Sequence, residues 1–276
     1  IWKFDFFYKA LYIYFQEYKV FEIYDLSEID ATFNLYEKRY NLTKMATDCG
    51  VSEKEFKSLS SKDKFLLLSN KLREANKVNL ASFFFGKLFE VSSDFEALLS
   101  KIECLIELGE FEEAQRFNNI GWELYLEDDL IDITDVERRL EYHRSLIAYY
   151  TEKYRQAESY CEENIIKFKS KEFYFLLCAN FIALSNMEAA VKFYNKYFSK
   201  FGNQFDFLME VFVLLININM LERAIDFVTC IYNITSEQRL TIINYINNYY
   251  SLNKNKSVLK KLFEKKLFEK EVNIIK

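Results

Sequence analysis

Two helical runs of apolar residues, separated by a short polar break, recur along most of the chain. Tyr174, Leu177, Cys178 and Phe181 stand at i, i+3, i+4 and i+7, and Ala190, Tyr194 and Tyr197 follow at i, i+4 and i+7. Phe65, Leu68, Ser69 and Leu72, then Ala81, Phe85 and Leu88, repeat the phrase earlier. Each phrase predicts a helix, a turn and a second helix that opens on a small residue. Those openers are Ala81, Ala114, Ala157, Ala190 and Ala224, with Val258 in the same place at the end, at intervals of 33, 43, 33, 34 and 34 residues. A period near 34 is that of stacked helix hairpins. Small residues at Ser69, Ser145, Cys178 and the alanines are placed for close helix crossings, with Leu72, Leu105, Phe181 and Leu215 filling the space beside them. The long interval holds an acidic insertion, Glu127 to Asp135.

Composition narrows the class. With no proline and 5 glycines in 276 residues, the chain lacks the turn signals that a sandwich or barrel needs every few residues. It is 50% hydrophobic and 29% charged, enough to bury a core without disulfides or metals. An all-α protein follows. The phrases GEFEEA (109–114), EKYRQA (152–157) and SNMEAA (185–190) resemble the tetratricopeptide repeat superfamily, over residues 61–272 and about six units. The chain departs from that pattern at Ile102 and Phe212, where a small residue is usual, and in lacking the proline that commonly ends each unit. The resemblance implies a right-handed superhelical α-solenoid whose first helices line a concave groove, and a role in protein–protein interaction.

Residues 1–60 read as an N-terminal helical region. Residues 1–24 are aromatic on every side and need cover from the rest of the protein or a partner; Asp30 to Tyr40 reads as a further helix. In residues 42–59, Met45, Ala46, Cys49, Gly50, Val51, Phe56 and Leu59 match a helix-turn-helix. Bound to DNA, its second helix would present Ser52, Glu53, Lys54, Lys57 and Ser58. Such a module ahead of helical repeats is similar to the peptide-sensing transcription regulators of Gram-positive bacteria and their phages, although those place it at the extreme N-terminus. Residues 26–64 hold seven acids and seven bases, and a neutral module gains little from phosphate neutralisation. A structural αα corner is the other reading of the same residues.

Charge is uneven along the chain. From Ser92 to Glu137 fourteen acidic residues face only Lys101 and Arg116, whereas residues 254–276 carry eight lysines and three glutamates. The acidic stretch 92–137 is suited to a basic partner, and solvated helix faces are the plainer account. The longest charge-free run near the start, Ala10 to Gln16, is far too short to cross a membrane. The C-terminal basic helix, with Leu262, Phe263, Leu267 and Phe268, is expected to cap the array, with membrane-surface contact as a minor reading. Starting at Ile1, the chain reads as a truncated N-terminus. Five cysteines without a C-x-x-C pair suggest buried thiols in a reducing, cytoplasmic setting.

Catalytic patterns are missing. His143 is the sole histidine, no phosphate loop, G-x-G-x-x-G or nucleophile elbow occurs, and EDDLIDITD lacks the turn glycine and closing glutamate of a calcium loop. The sequence therefore predicts no enzyme, no cofactor and no metal. Helix register places Asn70, Glu103, Tyr142, His143, Leu146, Tyr149, Phe175, Ala179, Ile182, Met209 and Val213 on the inner wall of the array. The middle of that wall is apolar and aromatic and lacks the lysine, arginine and asparagine set with which family members clamp a peptide carboxylate. The expected function is a non-enzymatic scaffold or adaptor that grips an amphipathic helix or apolar peptide there as part of a larger assembly. The alternative is a DNA-binding regulator whose repeats sense a peptide.

Overall fold

The computed structural model describes residues 26–127, 133–201, 204–231 and 235–252. All regular structure among them is helical. Four N-terminal helices come first in order: α1 (Leu26–Tyr40), α2 (Leu42–Asp48), α3 (Glu53–Ser58) and α4 (Ser61–Glu74). With α4 begin the hairpins: α4 with α5 (Val78–Ser92), α6 (Phe95–Glu107) with α7 (Phe111–Glu127), α8 (Ile133–Tyr150) with α9 (Tyr154–Phe168), α10 (Lys171–Ala183) with α11 (Met187–Tyr197), and α12 (Gln204–Asn217) with α13 (Leu221–Cys230). A short 3₁₀ turn, Phe198–Phe201, follows α11, and α14 (Ser236–Leu252) is the last of the described helices. The expected aromatic segment 1–24 and the basic C-terminal helix fall outside the described residues.

The repeat is written in the backbone. Every hairpin turn holds one residue in the left-handed region: Asn76 (φ 58°), Gly109 (75°), Glu152 (61°), Ser185 (63°) and Asn219 (60°). Each stands five residues before its alanine. The amide after it donates to a carbonyl five residues back, Lys77 to Leu72 at 2.8 Å, Glu110 to Leu105 at 2.9 Å, Lys153 to Ala148 at 2.9 Å, Asn186 to Phe181 at 2.8 Å and Met220 to Leu215 at 2.9 Å. This is a Schellman cap, which satisfies the last carbonyls of the first helix while reversing the chain. The alanine amide then donates to the residue four before it in all five hairpins, closing the first turn of the second helix. Ala81, Ala114, Ala157, Ala190 and Ala224 are wholly buried, as are Ser69, Ser145 and Cys178. Small side chains at these points let two helix axes approach closely.

The chain divides into two compact units, residues 1–136 and 137–276. In the first, Phe33, Leu42, Ala46, Val51 and Phe56 share one core with Phe65, Leu68, Phe84 and Phe85. Helices α1 to α3 therefore pack as an extension of the first hairpin and have no core of their own. The left-handed Gly50 (φ 87°) turns α2 into α3, and Asp94 caps α6 by accepting from the Ala97 amide at 2.9 Å. Phe33 meets Phe65 edge-on at 5.3 Å.

The second unit is built around α10. Residues Phe173 to Asn180 are all buried, including the apolar side chains Phe173, Leu176 and Leu177. A helix apolar around its whole circumference is stable only when covered on every side. Phe207 of α12 lies edge-on to Phe175 at 4.8 Å, Tyr142 of α8 edge-on to Phe173 at 5.7 Å, and Tyr194 of α11 edge-on to Phe227 of α13 at 5.7 Å. Arg223 of α13 reaches back and donates to the carbonyls of Ala183 at 2.6 Å and Ile182 at 3.2 Å, capping α10 from the following hairpin.

Candidate functional site

The inner-wall residues separate into two groups. Tyr142 and Leu146 of α8 and Met209 and Val213 of α12 keep part of their surface. Tyr149, Ala179 and Ile182 are fully covered, and His143 and Phe175 expose only 2% and 8%. The expectation that all nine line an open apolar wall is thus corrected: five of them are core. The cause is the all-round burial of α10, which brings Phe175, Ala179 and Ile182 under neighbouring side chains. Tyr149 lies 5.6 Å from the ring of Tyr150 and 5.8 Å from that of Tyr154. Burial pushes its phenol well above the ordinary value, and its hydroxyl has no hydrogen-bond partner.

In the first unit, Asn70 is exposed and Glu103 half-buried, and between them lies a feature that register alone did not reveal. Arg73 of α4 donates through Nη1 to Glu103 Oε2 at 2.6 Å and through Nε to Glu107 Oε1 at 2.8 Å, joining the first helices of two successive hairpins. Burial opposes its charge, and the hydrogen bonds to Glu107 and Glu103 overcome that and hold the guanidinium protonated. Beside it opens a cleft of about 640 Å³ lined by Leu67, Asn70, Lys71, Arg73, Glu74 and Glu107. A usable signal existed, because Arg73 and Glu107 are 34 residues apart, one repeat period. Arg138 and Glu172, also 34 apart, pair in the same way in the second unit.

Ser52, Lys54 and Lys57 of the helix-turn-helix-like segment are exposed. Ser52 caps α3, accepting from the Glu55 amide at 3.2 Å, and Lys57 pairs with Glu53 on the same helix. Helix α3 has 6 residues, about 9 Å of axis, little length to lay along a groove. Among the described residues no three His, Cys, Asp or Glu side chains are grouped to hold a metal ion, and no helix is long and apolar enough to cross a membrane. Cys104, Cys161 and Cys178 are buried free thiols; burial pushes Cys104 up to about 12 and the other two higher still.

No protein-family model matches the sequence, and no curated protein does. A crystal structure of a tetratricopeptide repeat protein from Parabacteroides merdae is similar in fold, with a TM-score of 0.50 over 87% of this chain and 97% of that one, at 16% identity. With the five equivalent hairpins, the similarity shows an all-helical, tetratricopeptide-like fold.

Proposed function

We propose that this chain is a non-enzymatic interaction module that holds a helical or apolar peptide segment of a protein partner against the first helices of its hairpins. The observation that carries the reading is the fivefold hairpin, with the same left-handed turn and buried alanine each time, which builds the repeat surfaces such folds offer to partners. In the second unit the contact side chains are Tyr142, Leu146, Met209 and Val213, part-exposed and apolar, on α8 and α12. Buried Tyr149 and Phe175 act beneath them by fixing helix positions. A partner identified by co-purification from the native source is to be titrated against Leu146→Asp and Val213→Asp. A loss of about tenfold or more in affinity with unchanged circular dichroism is expected; unaltered affinity in both variants would overturn the assignment.

A further inference from the structure

Lys101 of α6 reaches a seat formed by the two helices beside it. Its Nζ lies 4.1 Å from the centroid of the Phe117 ring on α7. On α5 it meets buried Gly86, where a Cβ would stand 2.6 Å from Nζ and 3.4 Å from Cδ and Cε. A glycine inside a helix weakens it, and the other hairpins carry Asn119, Glu162, Asn195 and Thr229 at the same distance from their alanines. The missing side chain of Gly86 is the room that the lysine head fills.

Among the described residues no carboxylate lies within ion-pair distance of this ammonium. The two that act on it are taken, Glu90 by Lys87 and Glu113 by Arg116. The next hairpin shows the contrast. Arg144 precedes Ala157 by the thirteen residues that separate Lys101 from Ala114, and it lies over Tyr160 at 4.1 Å, with Glu141 3.8 Å away as a counter-ion. In α6 the place of Glu141 holds Leu98. Burial therefore opposes the charge on Lys101 and moves its amine below the ordinary lysine range; Glu90 and Glu113 resist that shift, while Arg116 and Lys87 add to it. The ring face, a weaker partner than water or a carboxylate, offsets part of the cost. Lys101 keeps some surface, so a reagent can reach it.

We propose that Lys101 is an acylation site, which takes an activated acyl group from a thioester or an acyl phosphate in preference to the exposed lysines. The lone pair of the neutral amine attacks the carbonyl carbon and forms the N–C bond. The bond from that carbon to sulfur, or to the phosphate oxygen, breaks with its electron pair, and the surplus proton on nitrogen passes to water. Acylation exchanges a poorly solvated charge for a neutral amide. The site does not involve the inner faces of α8 and α12, so either proposal can fail alone.

The full chain is to be incubated with acetyl coenzyme A or with acetyl phosphate, and acetylation followed at each lysine by peptide mass spectrometry. Lys101 should react about threefold or more faster than exposed Lys54, Lys77 and Lys153, and an enhancement with one donor alone names that donor. Gly86→Ala places a methyl where the ammonium sits. Only the mobile end of a lysine has to move, and alanine suits a helix interior, so circular dichroism should be unchanged while the Lys101 rate falls to that of the exposed lysines. Should that variant misfold, the pH dependence in the unaltered chain decides: the Lys101 rate should level off at a lower pH than the other three. A Lys101 rate no higher than theirs with both donors, an enhancement that survives in folded Gly86→Ala, or a common pH midpoint would overturn the proposal.

Discussion

The thiol of Cys178 donates to the carbonyl oxygen of Ala190 across 3.7 Å, at the point where α10 crosses α11. Both residues are wholly buried, and the contact exists because neither has a side chain longer than one heavy atom past Cβ. Ala190→Phe should force the two helices apart and cost about 1 to 3 kcal/mol. A lowered melting temperature in a thermal scan is the expected result; an unchanged one would mean that Ala190 does not sit at the crossing.

Four of the five hairpin turns place a residue other than glycine in the left-handed region, where an L side chain costs about 1 to 2 kcal/mol. Part of that is returned through the greater chain entropy that glycine loses on folding. Glu152→Gly should therefore raise the urea midpoint, by about 0.5 to 1 kcal/mol of stability, whereas Gly109→Ala should lower it by a similar amount. Opposite signs at equivalent positions are the test; shifts of the same sign would refute the equivalence.

Asn118 is fully buried on α7 with neither amide atom hydrogen-bonded. It lies four residues after Ala114, where the other hairpins have Phe85, Cys161, Tyr194 and Val228. A buried amide without partners costs roughly 1 to 3 kcal/mol. Asn118→Val should stabilise the protein within that range, measured by chemical denaturation. A destabilised variant would show that the amide is satisfied by hydrogen bonds in the folded state.

Cysteine reactivity should divide by burial. Cys49 and Cys230 keep some surface, whereas Cys104, Cys161 and Cys178 are covered and held protonated. At pH 8 a thiol reagent should label two cysteines quickly and three only on unfolding. The unfolded thiols ionise near pH 9, below their folded values, so the unfolded state sheds protons first and the buried thiols' contribution to stability declines as pH rises above about 9. Rapid native labelling of Cys178 would contradict the close crossing at Ala190.

Much of the hairpin architecture was legible in the sequence, because three of the four intervals between the buried alanines are 33 or 34 residues and most helices show an apolar stripe. The turns were less so: Asn76, Glu152, Ser185 and Asn219 occupy conformations that sequence reading assigns to glycine. The inner wall was read too generously. Spacing along α10 tells which of Phe175, Ala179 and Ile182 share a face, and says nothing of the side chains, such as Phe207, that another helix lays over them. Arg73 went unnoticed because its partners Glu103 and Glu107 lie on the next hairpin, visible only when the chain is folded at its own period.

Arg223 offers a check on how successive hairpins are joined. Its guanidinium caps α10 from α13, so Arg223→Met keeps much of the stem and removes two hydrogen bonds to backbone carbonyls. A loss of about 1 to 3 kcal/mol is expected by denaturant titration. No loss would mean that water caps α10 equally well.

Hydrogen exchange with and without a co-purified partner tests the interaction reading most directly. Added protection should concentrate in the peptides that contain Tyr142 and Leu146 on α8 and Met209 and Val213 on α12. Protection confined to other helices, with α8 and α12 unaffected, would contradict the assignment of the partner to these inner faces.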